Sequence, residues 1–215
     1  MKRAVKGFNQ VALIPGEYPK IGIVGEIYVK YNSFGHQNIV DWLIENRIEA
    51  VVPPIIDFFT QDFMNVAANK KTHLKQAQFS DVLILALEYY ASHFQNKVNR
   101  ILSRFKFSSS FHNIRDIARK AEKILSLANQ FGEGWLIAAE IASFAEEGVD
   151  NVISLQPFGC IANHVISKGI ETRIKKQYPK MNLLFLDFDS GTSEVNVLNR
   201  LHFMVRTVAP REKPA

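Results

Sequence analysis

The chain has 215 residues, 47% of them hydrophobic, with one cysteine and a formal net charge of +5. That size fits one large domain or two small ones around an ordinary packed core. No apolar run approaches the ~20 residues that span a bilayer, the start Met1-Lys-Arg-Ala-Val-Lys-Gly7 lacks the apolar core of a signal peptide, and a lone cysteine forms no internal disulfide, so a cytoplasmic protein without a membrane partner is expected.

After an N-terminal segment (1–19), Lys20-Ile-Gly-Ile-Val24 reads as the first strand and ends in Gly25-Glu26-Ile27-Tyr28. A helical pattern follows from about His36 to Arg47, and Glu49-Ala-Val-Val52 reads as the second strand, stopped by Pro53-Pro54. This order of strand, loop, helix and strand predicts a parallel pair with a right-handed crossover. From about 55 to 130 the chain reads as helical. Leu83, Leu87, Tyr90, Phe94, Val98, Ile101 and Phe105 recur at steps of three and four down one long helix, started by Ser80 and Asp81, and are expected in the core. Ser108-Ser-Ser110 interrupts the pattern, after which Ile114, Ile117, Ala121, Ile124 and Ala128 form a second stripe. The two helices are expected to pair antiparallel against the sheet or a partner.

Much of the positive charge falls in this helical interval, at Lys97, Arg100, Arg104, Lys106, Arg115, Arg119, Lys120 and Lys123 against Asp116 and Glu122. A solvated helical face is the common reason for such a stretch. No zinc-finger spacing, RNP-like aromatic signature or basic zipper accompanies it, so no nucleic-acid partner is expected. Docking or contact with the phosphates of a coenzyme remain as uses for it.

Gly132-Glu-Gly-Trp135 opens a helix to about Glu147, Gly148 ends it, and Asn151-Val-Ile-Ser-Leu155 reads as a buried third strand. A helix from Ile161 to about Gln177, stopped by Pro179, leads to a fourth strand at Asn182-Leu-Leu-Phe-Leu186. The turn Asp187 to Ser193 precedes a last helix from Glu194 to about Arg206, and residues 209–215 read as a tail. The expected fold is α/β: a mostly parallel four-stranded sheet flanked by helices, half of a Rossmann- or flavodoxin-like domain, spanning 20–208 with a helical insertion after the second strand. Parallel strands bring all their carboxyl ends to one edge, where open α/β sheets bind ligands. That edge gathers Glu26, Tyr28 and Asn32 from the first strand end, Gln156, Cys160, Asn163 and His164 from the third, and Asp187, Asp189, Ser193 and Glu194 from the fourth.

Cys160 stands where the third strand gives way to a helix, and the positive end of a helix stabilises thiolates. His164 follows one turn later and could orient a ligand or hold a proton. A buried structural cysteine is the competing reading. An i, i+4 pair on one helix is poor geometry for a nucleophile and its base, so a metal role suits Cys160 better, although one thiol leaves a cluster short of ligands. Asp187 and Asp189 suit a cation, a hydroxyl or the cap of the next helix. The phosphate-loop, dinucleotide-fingerprint, H-E-x-x-H, G-x-S-x-G and C-x-x-C motifs are absent.

Four ordered stretches, Pro19 to Asn32, Gly132-Glu-Gly-Trp135, Gln156-Pro-Phe-Gly-Cys-Ile-Ala-Asn-His164 and Leu186 to Asn196, together resemble the dehydratase-like portion of the large 2-hydroxyacyl-CoA dehydratase activators, or CoA-substrate-specific enzyme activases. The resemblance runs from about Pro19 to Val205. It implies anaerobic iron–sulfur chemistry, in which an ATP-driven activator passes an electron to a dehydratase that removes water from a 2-hydroxyacyl-CoA. Cys160 would match a candidate ligand of a 4Fe-4S cluster. The family's ATPase portion and its other cysteines have no counterpart here, so the chain is expected to be a piece of a larger polypeptide or a stand-alone relative without the cluster. No cluster is then expected to be held by this chain alone. The expected function is a module giving a strand-end crevice and one cysteine to an iron–sulfur or acyl-CoA site that other domains or a partner subunit complete. A non-catalytic interaction or scaffold domain is the alternative.

Overall fold

Strands β1 (Lys20–Gly25), β2 (Glu49–Val51), β3 (Asn151–Pro157) and β4 (Asn182–Phe188) form one all-parallel sheet, ordered β2-β1-β3-β4, in the computed structural model, which describes residues 1–13, 16–74, 78, 80–108 and 111–208. Ten α-helices surround it among the described residues: α1 (Lys2–Phe8), α2 (Ile27–Tyr31), α3 (Ile39–Glu45), α4 (Ile56–Lys71), α5 (Ser80–Leu102), α6 (Ile114–Glu122), α7 (Gly134–Glu146), α8 (Ile161–Asn163), α9 (Glu171–Gln177) and α10 (Glu194–Val208). The chain therefore has an α/β, Rossmann-like fold with α4, α5 and α6 inserted between β2 and α7.

Both faces of the sheet are covered, which is why its strands read as near-continuous apolar runs. Alternation sends Val24 and Val152 to one face, where they meet α4, α6, α7 and α9 through Met64, Ile117, Ala121, Ile137, Ile141 and Ile174. Ile21, Ile23, Ile153, Leu155 and Leu186 point the other way, against α2, α3 and α10. Helix α7 is the most deeply set element, buried from Gly134 to Phe144. Its Trp135 is fully enclosed, with Nε1 donating to Asn65 Oδ1 of α4 at 2.9 Å.

The strand order reverses direction between β1 and β3, so the switch point lies at their carboxyl ends. There the chain closes up. Gly25 has φ +126°, and a Cβ added to it would overlap the Leu155 carbonyl oxygen, to which the Glu26 N–H donates at 2.9 Å.

Several expectations are corrected. The first strand ends at Gly25, and Ile27-Tyr28 belong to a short helix, α2, because Glu26 caps it immediately. Strand β3 runs two residues past Leu155, putting Gln156 inside the ladder opposite Asp187. The segment after Cys160 is not one helix: α8 passes into a π-helical turn, His164–Lys168, before α9. The stripe on α5 is not buried core: Val98, Ile101 and Phe105 are half-buried and the rest is open. Leu83, Leu87, Tyr90 and Phe94 are exposed, and Glu88 is the one buried residue of the helix, held by Arg115 at 2.5 and 2.7 Å. The second stripe is core as expected, with Ile114, Ile117, Ala121 and Ile124 buried. The tail, 209–215, and two of the three serines at 108–110 lie outside the described residues.

Gly25→Ala is expected to destabilise the protein by at least ~3 kcal/mol, since it combines a positive φ with a backbone overlap. Urea denaturation checks this, and an unchanged midpoint would refute the close packing of β1 on β3.

Candidate functional site

The exit of β3 is tied to β4 by the Phe158 N–H, which donates to the Phe188 carbonyl at 2.7 Å. Gly159 then adopts φ +81° to turn the chain, and Cys160 becomes the extended residue that precedes α8. Its thiol is half-buried and has no hydrogen bond to any described residue. His164 faces the backbone of the turn instead. The Gly159 N–H donates to His164 Nε2 at 3.3 Å, and His164 Nδ1 lies 3.5 Å from Asp187 Oδ1. An accepting Nε2 puts the ring proton on Nδ1, toward Asp187. Lys168 Nζ reaches both oxygens of Asp187, at 3.2 and 2.9 Å. His164, Asp187 and Lys168 therefore form a polar clasp around the Cys160 turn, and no thiol–imidazole pair is built.

Behind that turn lies a buried polar layer. Ser154 and Gln156 share one face of β3, and Asn163 and Ser167 are one helical turn apart in the segment above it. Ser154 Oγ and Ser167 Oγ meet at 2.6 Å, which fixes the helical segment on the strand. One step nearer the sheet edge, Gln156 and Asn163 are fully buried, and all four of their side-chain polar atoms lack a partner among the described residues. Such atoms cost ~1–3 kcal/mol per group when left unpaired, so the pair calls for polar partners that no described residue supplies. The helical segment that carries Asn163 also walls an apolar pocket of about 440 Å³, between Ile161, Val165 and Ile166 on one side and Asn129, Phe131 and Gly134 on the other.

A second polar line runs along the end of β1. Glu26 caps α2, accepting from the Val29 N–H at 2.9 Å, and the buried Glu133 accepts from the Ile27 N–H at 2.7 Å. Burial pushes the Glu133 carboxyl up. These two carboxylates fill the amino end of α2, where dinucleotide folds place a phosphate. One turn further, Lys30 and Glu140 form a buried ion pair at 2.7 Å, with both side chains almost wholly enclosed. Burial pushes Glu140 up and the Lys30 ammonium pulls it back. Asp57, at the start of α4, is buried beside them and borders a cavity of about 60 Å³ with Pro53, Pro54, Glu140 and Ser143. Burial, reinforced by the Glu140 charge and opposed by Lys30, raises its carboxyl to about 7. Tyr31 donates its hydroxyl proton to the Pro53 carbonyl at 2.7 Å, and burial pushes the phenol well above its ordinary value.

The eleven residues expected at one crevice thus divide. Cys160, His164 and Asp187 share one corner, with Gln156 and Asn163 just behind it. Glu26 is spent on capping, Tyr28 is largely exposed, and Asn32 Oδ1 accepts from the Gly35 N–H at 3.0 Å to fold the next turn. Asp189 builds its own turn, accepting from the Gly191 N–H at 2.8 Å and from the Thr192 hydroxyl at 2.9 Å. Ser193 and Glu194 are exposed at the start of α10. Lys30, Asp57, Glu133, Glu140 and Lys168 were missed. Glu140 had a visible signal, an acid inside the apolar run Trp135 to Phe144; Lys30 and Glu133 lie within two of the stretches that carry the resemblance, and Asp57 and Lys168 had no signal.

Among the described residues no group of three or more His, Cys, Asp or Glu side chains could hold a metal ion. A four-iron cluster draws on four thiolates, so this donor set does not fit a complete cluster. No protein-family model, curated protein or solved structure matches the chain.

Between the ordinary carboxylate range and about pH 7, folding takes up a proton at Asp57, so its contribution to stability falls as pH rises through that window and levels off above it. Asp57→Asn removes this penalty. Its advantage in melting temperature over the parent protein is expected to be near zero at about pH 4, to grow toward pH 7 and to stay constant beyond. A pH-independent difference would mean that Asp57 is ionised throughout.

Proposed function

We propose that this chain is a ligand-binding module of a 2-hydroxyacyl-CoA dehydratase activator-like system, contributing its strand-end crevice and the Cys160 thiol to a site completed by other domains of the polypeptide or by a partner subunit. Of the two occupants that this reading allows, an iron–sulfur cluster and an acyl-CoA, the residues fit the acyl-CoA. The observation that carries the choice is the unpartnered pair Gln156 and Asn163. Two carboxamides present donors and acceptors together, which is the complement of the two amides in the pantetheine arm of coenzyme A. The apolar pocket walled by Ile161 and Val165 offers room for an acyl chain. Cys160 immediately precedes Ile161 of that pocket wall in the chain and is half-buried, and in this reading its thiol serves the thioester end. As the sole cysteine it supplies at most one ligand of any cluster shared with a partner.

Binding and stability then respond in opposite directions. Gln156→Met removes two buried orphan atoms without a large change in volume, so the free protein is expected to keep or gain stability. Titration calorimetry with a 2-hydroxyacyl-CoA ester is expected to show binding to the parent protein and at least ~10-fold weaker binding to Gln156→Met, the loss of about one good hydrogen bond. A parent protein that takes up neither the ester nor free coenzyme A, alone or with the activator and dehydratase partners, overturns the proposal. So does a variant that loses stability while binding unchanged. The shared-cluster role is tested separately by anaerobic iron and sulfide reconstitution with those partners, where an unaltered spectrum after Cys160→Ala removes it.

A further inference from the structure

Helix α5 has 23 residues, yet its own chain covers little of it: Glu88 is its one buried residue. Helices of this length owe most of their stability in water to a packed apolar face. Here the apolar side chains point outward. Val82, Leu83, Leu87, Tyr89, Tyr90 and Phe94 are each between 51% and 71% exposed, which is the profile of a docking surface rather than of scattered surface residues.

The charge on the same surface identifies what covers it. The sequence has no acidic residue between Glu88 and Asp116, and none before Glu17. Lys97, Arg100, Arg104 and Lys106 on and after α5, with Lys2, Arg3 and Lys6 on α1, are all exposed, and none forms an ion pair among the described residues. The two groups are held side by side. Asn9 Nδ2 donates to the Arg104 carbonyl at 2.8 Å, the Lys106 N–H donates to Asn9 Oδ1 at 3.1 Å, and the rings of Phe8 and Phe105 meet at a tilt with centres 6.2 Å apart. Lys2, Lys6 and Arg104 converge on a notch of about 250 Å³ between α1 and α5. Three cations fixed around one opening repel one another until an anion enters. Phe8 and Phe107, at 66% and 65% exposure, both pack against Phe105, which follows Arg104 of that notch.

We propose that α1 and α5 form a peripheral docking surface for an anionic lipid bilayer, with the basic side chains on the headgroup phosphates and Leu83, Leu87, Tyr90 and Phe94 in the interface. Outward aliphatic and aromatic residues beside a cluster of basic ones are the composition that binds such surfaces. A second copy of the chain meets only part of the requirement. Antiparallel pairing of two α5 helices covers the apolar stripe, but it sets the basic half of each against acids already engaged, Asp81 by Lys70 and Glu88 by Arg115. Nucleic acid answers the charge and leaves Val82, Leu83 and Leu87 in water.

Co-sedimentation of the full chain with unilamellar vesicles tests this. Vesicles of phosphatidylcholine containing about one-third phosphatidylglycerol are expected to bind the protein at least ~10-fold more tightly than phosphatidylcholine alone, with binding weakened by salt. Lys6→Glu combined with Arg104→Glu, and separately Leu87→Ser combined with Phe94→Ser, are each expected to weaken binding ~10-fold or more with an unchanged circular dichroism spectrum. Equal binding to both vesicle types, or to neither, overturns the proposal. A dimer in light scattering that Leu87→Ser with Phe94→Ser dissolves gives the surface to a second copy instead. Tighter binding to a DNA or RNA oligonucleotide than to the anionic vesicles gives it to nucleic acid.

Discussion

β1 and β3 meet at the centre of the sheet, and at their carboxyl ends Gly25 lies against the Leu155 carbonyl with no room for a side chain between them. The same carbonyl accepts the Glu26 N–H and so sets the residue at which α2 begins. From that point two chains of consequence run outward. On the β1 side, the start of α2 fixes Glu26 at its cap and brings Lys30 under α7. On the β3 side, the register of the last residues sets Gln156 opposite Asp187 and places the turn that carries Cys160. A shift by one residue would turn Gln156 to the opposite face and expose Val152 and Ile153 to the wrong layers.

Helix α7 carries the electrostatic cost of this arrangement. It is buried along most of its length, yet Glu140 lies inside it and Glu133 just before it. Both acids are answered by α2, one through the Ile27 N–H and the other through Lys30. A buried ion pair seldom adds net stability over an apolar replacement, but removing one partner alone costs ~3–5 kcal/mol. The pair therefore acts as a key between α2 and α7: a wrong docking of these helices leaves a buried charge without its counterpart.

The layout of the sheet was legible in the sequence because each strand is a short apolar run closed by Gly, Pro or a polar turn, and the strands alternate with helical periods. The core stripe of α6 was legible for the same reason. Periodicity reports that a helix has an apolar side but not what that side meets, and α5 shows the difference: Leu83, Leu87, Tyr90 and Phe94 of its stripe are exposed, whereas Val98 and Ile101 are half-buried. The candidate site was legible as an edge, because parallel strands send their ends one way. Its division was not, since capping by Glu26 and turn-building by Asp189 depend on local backbone geometry that spacing does not specify. The apolar run that marks the third strand ends at Leu155, which leaves Gln156 to the strand-end edge. Proline is tolerated as the last residue of the strand, and the ladder carries Gln156 into the interior.

Trp135 and Trp42 are the two tryptophans of the chain, and they lie on opposite sides of the sheet. Trp135 is enclosed under α4 with its indole nitrogen bonded to Asn65, whereas Trp42 on α3 stands edge-on to His202 of α10 with ring centres 4.9 Å apart. One indole sits in a dry environment that lasts only while the inserted helices stay docked. The other is half-exposed beside an imidazole, a group that quenches indole emission when it gains a proton. Intrinsic fluorescence therefore reads the two layers of this fold as separate optical channels, one for the insertion and one for the α3–α10 layer.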